Sequence, residues 1–350
     1  MDDHLPGIAR LPDIAVRGRR VLVRTDFNTP LVAGRVLDDQ RILAGIPTLR
    51  WLRAQGASVT VATHLGNPSG PQPELDTGVL RPIVDRLIDG VELLPNLRFD
   101  PREEANDPAF AAELADRHDL YVNDAFSVAH RRHASVVGVP AILPSAAGFA
   151  LVDEVTSLSR FRTLASGPRV LLIGGAKIAD KLTLARMLAG QFDEMLVGGL
   201  TAVALRAAHR GDEIRLPPAD LGAVRAFADS DVPVRLPTDF VHDADGRIAD
   251  IGPSTVATFG AVLESAGSVL WSGPVGRFEI DEFASGTREV ALAIGRSSGR
   301  SVAGGGHTAA ALRTLGLTDR LDHVSTAGGA LLAFMRDGDL PALRALRRSA

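Results

Sequence analysis

The second half of the chain contains four glycine-rich turns, and each follows an apolar run. They lie within VLLIGGAKIADK (170–181), MLVGGLTA (195–202), VLWSGPVGRFE (269–279) and SVAGGGHTAAAL (301–312). An apolar run, then glycines, then a helix-forming stretch places backbone N–H groups at the start of a helix, where they can bind phosphate. This half therefore predicts a site for a nucleotide.

Two lysines stand at the start of the first of these predicted helices. Lys177 and Lys181 are four residues apart, so they share a helix face, repel each other and lie where the helix dipole is already positive. A bound phosphate would remove both penalties. The alternative is that two exposed lysines tolerate the crowding with help from Asp180. The loop lacks the GxxxxGK[ST] spacing of a Walker A motif.

Three consecutive glycines, Gly304 to Gly306, end a predicted strand and precede the helix-forming TAAALRTLG. Without a Cβ, their amides can closely approach a transferring phosphoryl group. The stretch from Gly304 to Ala309 also fits a dinucleotide fingerprint, but only about 40 residues follow it, too few for the half-domain that this motif opens. Glu279 can accept hydrogen bonds from ribose hydroxyls, or it is a solvated loop carboxylate.

The first half places basic side chains, rather than glycine turns, near the ends of its apolar runs. Asp26 and Asn28 follow a predicted strand and alternate with an apolar residue, so both can face one cleft. Taken singly, each basic residue is better explained as a surface residue or a hydrogen-bonded histidine. Together they predict a site for an anionic partner. These donors are Arg24, Arg41, His64, Arg98, His130 and Arg131.

Length and composition exclude several classes of protein. The 350 residues favour two domains of about 150 residues each. The formal charge is −4 with both signs scattered, so no nucleic-acid partner is expected. Without cysteine, neither a disulfide framework nor a thiolate site can form. The first residues do not resemble a secretory signal and no apolar run reaches the roughly 18 residues of a membrane span. We expect a soluble, cytoplasmic protein with no membrane partner.

Short aliphatic runs alternate with helical stretches along the whole chain. This pattern predicts βαβ units and parallel sheets covered on both faces, with ligands beyond the carboxyl ends of the strands. Residues 151–168 end in Ser-Gly-Pro before a new strand begins, so they are the best candidate for an interdomain linker.

The order of these motifs resembles the phosphoglycerate kinase family over essentially the entire chain. The resemblance implies an α/β fold of two doubly wound, Rossmann-like parallel-sheet domains that face a cleft and are joined by a hinge helix. Residues 1–158 would bind the acid and 159–336 the nucleotide, with the tail 337–350 packing back on the first domain. The matching motifs are RVLVRTDFNTPL, DDQRILAGIPTLRWL, THLGNPSG, NLRFDPREEANDPAFA, YVNDAFSVAHRRHAS, GGAKIADK, DIGPSTVATF, WSGPVGRFE, AGGGHTAAAL and HVSTAGGALLAF.

The resemblance also implies a reaction and its ligands. The reaction is reversible phosphoryl transfer between ATP/ADP and the carboxylate of 3-phosphoglycerate, with 1,3-bisphosphoglycerate as the acyl phosphate and with hinge closure. The cofactors implied are ATP/ADP and Mg²⁺, with Mn²⁺ as the alternative metal, and the expected state is a monomer. Such catalysis depends on positioning and on neutralising oxygens, and it needs no side-chain nucleophile.

Site residues follow from the resemblance, motif by motif. Arg41 and Lys181, with the amides of Gly305 and Gly306, would act on the transferring phosphoryl group. Lys177 would hold nucleotide phosphates and Glu279 the ribose. The acid site would comprise Arg24, Asp26, Asn28, His64, Asn67, Arg98, His130 and Arg131. The remaining nucleotide-binding positions would be Gly174, Gly175, Gly198, Gly199, Gly273, Pro274, Gly304 and Thr308.

The chain departs from the family pattern at these same loops. Asn67 replaces an arginine of SHLGRP, and losing a charge-assisted contact of roughly 1.5–3 kcal/mol would weaken acid binding about ten- to a hundredfold. His307 replaces an aspartate of GGGD[ST] that helps to hold magnesium, an ion that prefers oxygen ligands. WNGP becomes WSGP at Ser272.

Three hypotheses therefore follow from the sequence. The chain is a divergent phosphoglycerate kinase, an ATP-dependent kinase of a different carboxylate in specialised metabolism, or a nucleotide-binding homologue that has lost catalysis. The first two are favoured by the presence of Arg41, Lys177, Lys181 and Glu279.

Overall fold

The computed structural model describes residues 4–164, 167–212, 215–230 and 232–348. The chain divides into two compact units, Met1–Ser157 with Asp337–Ala350, and Leu158–Arg336. Each unit contains a sheet of five parallel strands, which confirms the predicted fold of two parallel-sheet α/β domains. The predicted linker positions 165 and 166, and the predicted domain ends at 1–3 and 349–350, lie outside the described residues.

The β-structure of the first unit is one sheet and one hairpin. Its strands are β1 (Arg20–Thr25), β2 (Leu31–Val32), β3 (Arg35–Val36), β4 (Ser58–Ala62), β5 (Val91–Leu93), β6 (Leu120–Asp124) and β7 (Ser145–Ala147). β2 and β3 pair as an antiparallel hairpin, and the sheet order is β5–β4–β1–β6–β7. Because β1 is central, Arg24 lies beside Ala62 of β4 and Asn123 of β6. Side chains that follow these three strands are therefore neighbours.

The strands of this sheet are buried because helices cover them. Val23, Val61 and Leu49 belong to one apolar core, to which the helix that follows the hairpin contributes a buried face. Such burial on both faces explains why the strands are continuous apolar runs rather than alternating ones. The helices are α1 (Gln40–Ala54), α2 (Arg81–Leu87), α3 (Pro101–Glu104), α4 (Pro108–Ala115) and α5 (Phe149–Leu164). The boundary between the two compact units falls within α5.

The second unit repeats this architecture. Its strands are β8 (Arg169–Ile173), β9 (Glu194–Val197), β10 (Phe240–His242), β11 (Ile248–Ile251), β12 (Ser268–Ser272), β13 (Arg300–Gly304) and β14 (His323–Ser325). The sheet order is β14–β13–β12–β8–β9, and β10 pairs with β11 as an antiparallel hairpin. With β12 in the centre, the glycine turns after β8, β12 and β13 lie side by side.

Helices cover the second sheet, and Trp271 of β12 is fully buried in its core. Phe259 and Leu312 pack in the same cluster. The helices are α6 (Ile178–Leu188), α7 (Gly199–Arg210), α8 (Pro218–Ala228), α9 (Pro253–Ser265), α10 (Ser285–Arg296), α11 (Gly306–Thr314) and α12 (Gly329–Asp337). In the part of the chain that the structure describes, no helix has the length and apolar content to cross a membrane.

The last helix, α13 (Pro341–Arg348), belongs to the first compact unit. Proline at its first position supplies a suitable φ and lacks the N–H that would have no partner there. Leu343 and Leu346 are buried, and the Ala342 N–H donates to the carbonyl of Ala129 at 3.0 Å. The tail therefore packs against the segment that carries His130.

We expect Leu346→Ala to lower the free energy of unfolding of the first unit by about 2–5 kcal/mol, because the substitution leaves a cavity in a fully buried position. Urea denaturation followed by Trp51 fluorescence, in a Trp271→Phe background, reports on this unit. Arg348→Ala, at an exposed position of the same helix, should change the value by less than about 0.5 kcal/mol. Equal effects of the two substitutions would contradict the tail packing.

Candidate active-site residues

The carboxyl end of β1 carries a buried arginine. Arg24 is 1% exposed, and each guanidinium nitrogen has a protein neighbour. Its Nε donates to the hydroxyl of Ser135 at 2.9 Å, Nη1 donates to the carbonyl of Thr25, and Nη2 lies 3.2 Å from Nδ1 of His64. Because arginine stays protonated in proteins, these acceptors compensate a buried positive charge. Arg24 thus holds three segments of the chain together.

His64 follows β4 and is nearly fully buried. Burial first, and then the charges of Arg24, Arg98 and Arg41, keep the pKa of His64 well below its usual value, so the imidazole is neutral. Its Nδ1 faces a guanidinium, which can only donate, so the ring proton belongs on Nε2. His64 can therefore donate one hydrogen bond to an anion without itself being charged.

Asp26, Asn28 and Arg41 meet between the ends of β1 and β4. Asp26 forms an ion pair with Arg41, with 2.8 Å between Oδ2 and Nη1, and both side chains are partly buried. The side-chain oxygen of Asn28 accepts from the Gly66 N–H at 2.8 Å. The carboxylate of Asp26 therefore orients Arg41, while Asn28 fixes the turn that leads to Asn67.

Arg98 follows β5, and its side chain is only 6% exposed. It donates to the side-chain oxygen of Asn67 and to the carbonyl of Gly66, and its Nε lies 3.2 Å from a carboxylate oxygen of Glu104. Asn67 itself is exposed. Asn67 therefore contributes no charge of its own but accepts a hydrogen bond from the neighbouring arginine.

The predicted pair His130 and Arg131 follows β6, after the 3₁₀ turn Phe126–Val128. His130 is partly buried, and burial, with Arg131 beside it, lowers its pKa. No partner for its Nδ1 is found among the described residues. Arg131 is exposed. The structure thus brings the predicted residues of the first half to the ends of four neighbouring strands.

Three buried polar residues next to this site were not singled out from the sequence. Glu103 and His133 lie 3.7 Å apart, and Ser135 contacts Glu103 and Arg24. Burial and the nearby arginines lower the pKa of His133 to about 4. His133 and Ser135 stand within the motif YVNDAFSVAHRRHAS, and Glu103 within NLRFDPREEANDPAFA. No local pattern separated these residues from surface residues.

In the second unit, the glycine turns contact one another. The N–H groups of Gly174 and Gly175 donate to the carbonyls of Ser272 and Pro274 at 3.0 and 2.7 Å. A Cβ at Gly174 would overlap the Pro274 carbonyl oxygen, and Gly273 has φ +102°, so neither position accepts a larger residue without strain. The sequence requires glycine here for backbone packing.

The predicted amides after β9 are also engaged within the protein. The Gly198 N–H donates to the carbonyl of Ile173 at 2.7 Å, and the Gly199 N–H donates to the carbonyl of Val275 at 3.2 Å. The N–H groups of Gly198 and Gly199 are therefore already bonded within the protein, and these glycines contribute the close packing of the turns.

The turn after β13 combines engaged and exposed groups. The Gly305 N–H donates to the Ser325 carbonyl at 3.1 Å, and the buried Thr308 hydroxyl accepts from the Gly273 N–H at 2.8 Å and donates to the Gly304 carbonyl at 3.0 Å. Gly306 and His307 are exposed at the start of α11. The exposed residues at this helix start therefore begin one position further along than Gly305.

Lys181 is largely buried, and its Nζ donates to the hydroxyl of Ser272 at 2.6 Å. Burial lowers the pKa of Lys181 to about 8, with Lys177 contributing in the same direction and Asp180 opposing it. Lys177 and Glu279 are exposed. The two lysines are the only ones in the chain.

A metal site is not assembled by the described side chains alone. They contain no group of three His, Asp or Glu residues placed to hold an ion. His307 offers an imidazole, whereas Mg²⁺ prefers oxygen ligands and keeps several waters. The donor set therefore does not fit a dedicated Mg²⁺ site.

Comparisons with known proteins agree on one family. The family model described as Phosphoglycerate kinase matches residues 11–91 and 88–338. The phosphoglycerate kinase of Thermomicrobium roseum is 41% identical and covers 97% of this chain and 99% of the relative; that of Rubrobacter xylanophilus is 42% identical and covers 95% and 97%. Solved phosphoglycerate kinase structures from Coxiella burnetii and Pyrococcus horikoshii are both 31% identical, with TM-scores of 0.81 and 0.85 and coverage of 97% and 98% of this chain and 99% of each structure.

The lysine pair allows a direct titration. In protein labelled with ¹³C at lysine Cε, we expect two resonances, of which one titrates with a midpoint near pH 8 because burial lowers the pKa of Lys181. Above that pH the ammonium loses its charge, so affinity for phosphate should fall as pH rises. ATP should move the midpoint upward, since an anion favours the charged form.

Lys181→Arg assigns the resonance by removing it. The variant should also keep its affinity for ATP unchanged from pH 7 to 9.5, because arginine does not titrate there. A midpoint of about pH 10.4 for both lysines would contradict the burial of Lys181.

Proposed function

This chain belongs to the phosphoglycerate kinase family, and on that basis we propose the residues that perform its reaction. It is a phosphotransferase with a carboxyl group as acceptor: it transfers a phosphoryl group reversibly between ATP and the carboxylate of 3-phosphoglycerate. The observation that carries the site assignment is the convergence of donors at the ends of four strands of the first sheet. No observation favours a different carboxylate or a non-catalytic homologue.

We assign the acid to the first unit. The donors are neutral His64 and His130 with the charged Arg41, Arg98 and Arg131, which together match the carboxylate and phosphate oxygens of a small acid. Asp26 supports this assignment because its ion pair orients Arg41. Asn28 and Asn67 determine the shape of the site. Asn28 fixes the turn after β4, and Asn67 fixes the side chain of Arg98.

Arg24 has a different role in this proposal. Its guanidinium is buried and bonded to three protein groups, so it orients His64 instead of contacting the acid. The resemblance, by comparison, implied that Arg24 lines the acid site together with Arg98 and Arg131.

The nucleotide is assigned to the second unit. Lys177 and the exposed amide of Gly306 contact phosphate oxygens, and Glu279 accepts from the ribose hydroxyls. The turns of Gly174, Gly175, Gly198, Gly199, Gly273 and Pro274 form the wall, and Gly304, Gly305 and Thr308 hold the start of α11 in place. Support for the phosphate contacts is the exposure of Lys177, Gly306 and Glu279 beside these tightly packed turns.

In the chemical step, a carboxylate oxygen of the acid attacks the γ-phosphorus of ATP. The new O–P bond forms as the bond to the β,γ-bridging oxygen breaks, and ADP leaves with that oxygen. Lys181 and Arg41 neutralise the charge on the transferring oxygens. No side chain becomes covalently modified.

The family uses ATP and ADP, generally with Mg²⁺. Since the described residues do not form a dedicated Mg²⁺ site, no step is assigned to the metal here. We propose that His307 lowers the contribution of the protein to metal binding, because an imidazole stands where an oxygen ligand is preferred.

Turnover is the first test of this function. ³¹P NMR of the protein with ATP, Mg²⁺ and 3-phosphoglycerate, with hydroxylamine to trap the acyl phosphate, should show conversion. Lys181→Ala should reduce the rate by about 10²- to 10³-fold because a preorganised charge on the transferring group is lost. Arg186→Ala removes an exposed cation from the same helix and should leave the rate unchanged. If the wild-type protein gives no acyl phosphate, the proposed reaction is wrong.

The metal proposal has its own test. His307→Asp should lower the Mg²⁺ concentration for half-maximal turnover and reduce the preference for Mn²⁺, because a carboxylate suits the harder ion. His307→Ala is the control: it removes the imidazole without adding a carboxylate, so it shows how much of the effect of His307→Asp comes from the new oxygen ligand. Identical metal dependence in the Asp and Ala variants would show that position 307 does not contact the metal.

A further inference from the structure

A buried carboxylate lies behind the acid site and has no role in the reaction described above. Glu103 of α3 is 1% exposed. One of its oxygens accepts from the Ser135 hydroxyl at 2.6 Å and the other from the Ser135 N–H at 2.9 Å. Burying a carboxylate is costly unless hydrogen bonds and a nearby opposite charge compensate it. Arg24 supplies compensating charge by reaching Glu103 through Ser135, and Arg98 is close enough for Glu103 to act on its pKa as well.

The directions of the hydrogen bonds in this group are fixed by chemistry. The Nε–H of Arg24 can only donate, so the hydroxyl oxygen of Ser135 must accept from it at 2.9 Å. The one hydroxyl proton of Ser135 then goes to Glu103. A serine hydroxyl that accepts from a cation and donates to an anion has a single orientation, and its oxygen then holds the Nε–H of Arg24.

The other end of this chain of contacts is His64. Nη2 of Arg24 donates to Nδ1 of His64 across 3.2 Å, which puts the ring proton on Nε2. For Nε2 the described residues provide no hydrogen-bond partner. Glu103 orients the Ser135 hydroxyl, which holds Arg24, and Arg24 in turn determines that His64 carries its proton on Nε2. This Nε2–H is the one hydrogen bond that neutral His64 can donate to an anion.

We propose that Glu103 and Ser135 are positioning residues for the acid site: they hold Arg24 so that His64 presents Nε2–H to the oxygens of the acid. The assignment to catalysis rests on the proposed function, whereas the hydrogen-bond chain does not depend on it. A residue that merely filled the core would leave the protonation pattern of His64 unchanged when altered.

Two variants interrupt the chain at different points. Ser135→Ala removes the hydroxyl and leaves the Nε–H of Arg24 without its acceptor. Glu103→Gln keeps the size of the side chain but brings an amide group that must face one of the Ser135 donors. In both variants we expect the KM for 3-phosphoglycerate to rise about ten- to a hundredfold, as for a lost charge-assisted hydrogen bond, with the KM for ATP unchanged.

Tyr121→Phe is the matched control. The Tyr121 hydroxyl donates to the backbone carbonyl of Ser135 at 2.6 Å, so its removal weakens the same buried region without touching the bridging hydroxyl. This variant should lose stability, yet keep the wild-type KM for the acid.

The decisive readout is the tautomer of His64 in the ligand-free protein. Two-bond ¹H–¹⁵N correlation spectra of ¹⁵N-histidine-labelled protein, assigned with His64→Gln, report which ring nitrogen carries the proton. We expect Nε2–H in the wild-type protein and in Tyr121→Phe, and a mixture of tautomers in Ser135→Ala. If Ser135→Ala does not fold, Glu103→Gln provides the same comparison.

Two results would overturn the proposal. One is an unchanged His64 spectrum and an unchanged KM for the acid in the Ser135 or Glu103 variant. The other is an equal rise in the KM for the acid and an equal change of the His64 tautomer in Tyr121→Phe, because the effects would then follow from lower stability of the buried region. Failure of the proposed function would look different, since the wild-type protein would then form no acyl phosphate while the tautomer comparison still held.

Discussion

The candidate acid site depends on the buried positive charge of Arg24. An uncompensated charge of this kind would cost several kcal/mol, so acceptors must surround it. They come from different segments: the Thr25 carbonyl at the end of β1, the histidine after β4 and Ser135 in the π-helix Ala134–Gly138. The need to solvate one guanidinium thereby fixes the loops that carry the other donors. The central position of β1 makes these contacts possible.

In the described part of the second unit no arginine is buried, and its loops are held in another way. Its turns bind one another through backbone N–H and C=O groups, and glycine is required where the chains approach too closely for a Cβ. These backbone contacts carry no net charge, and Lys177 and Lys181 add positive charge beside the turn after β8. All the remaining residues among the 38 Lys and Arg of the chain are arginines. A lysine ammonium is compact and its pKa shifts on burial, as it does for Lys181, whereas a guanidinium would stay charged and require a planar set of acceptors.

Much of this arrangement could be predicted from the sequence. Continuous apolar strands such as RVLVRT indicated doubly covered parallel sheets, and the motif order indicated the family; the sheet topology and the comparisons confirm both. The sequence could not show how individual groups are used. Gly305 looked like a free amide donor but is bonded to Ser325, and the Thr308 hydroxyl ties two turns together. Such contacts depend on which loops become neighbours, and Arg24 and Ser135 are 111 positions apart.

The most direct test of the account is where 3-phosphoglycerate binds. Chemical-shift mapping of the isotopically labelled, full-length protein during titration with this acid reports every backbone amide that senses it. We predict that the perturbed residues cluster after β1, β4, β5 and β6, around positions 26–28, 64–67, 98 and 130–131. Perturbations confined to the second unit, or to the groove lined by Phe99, Phe110 and Leu114, would contradict the placement of the acid beside Arg24 and His64.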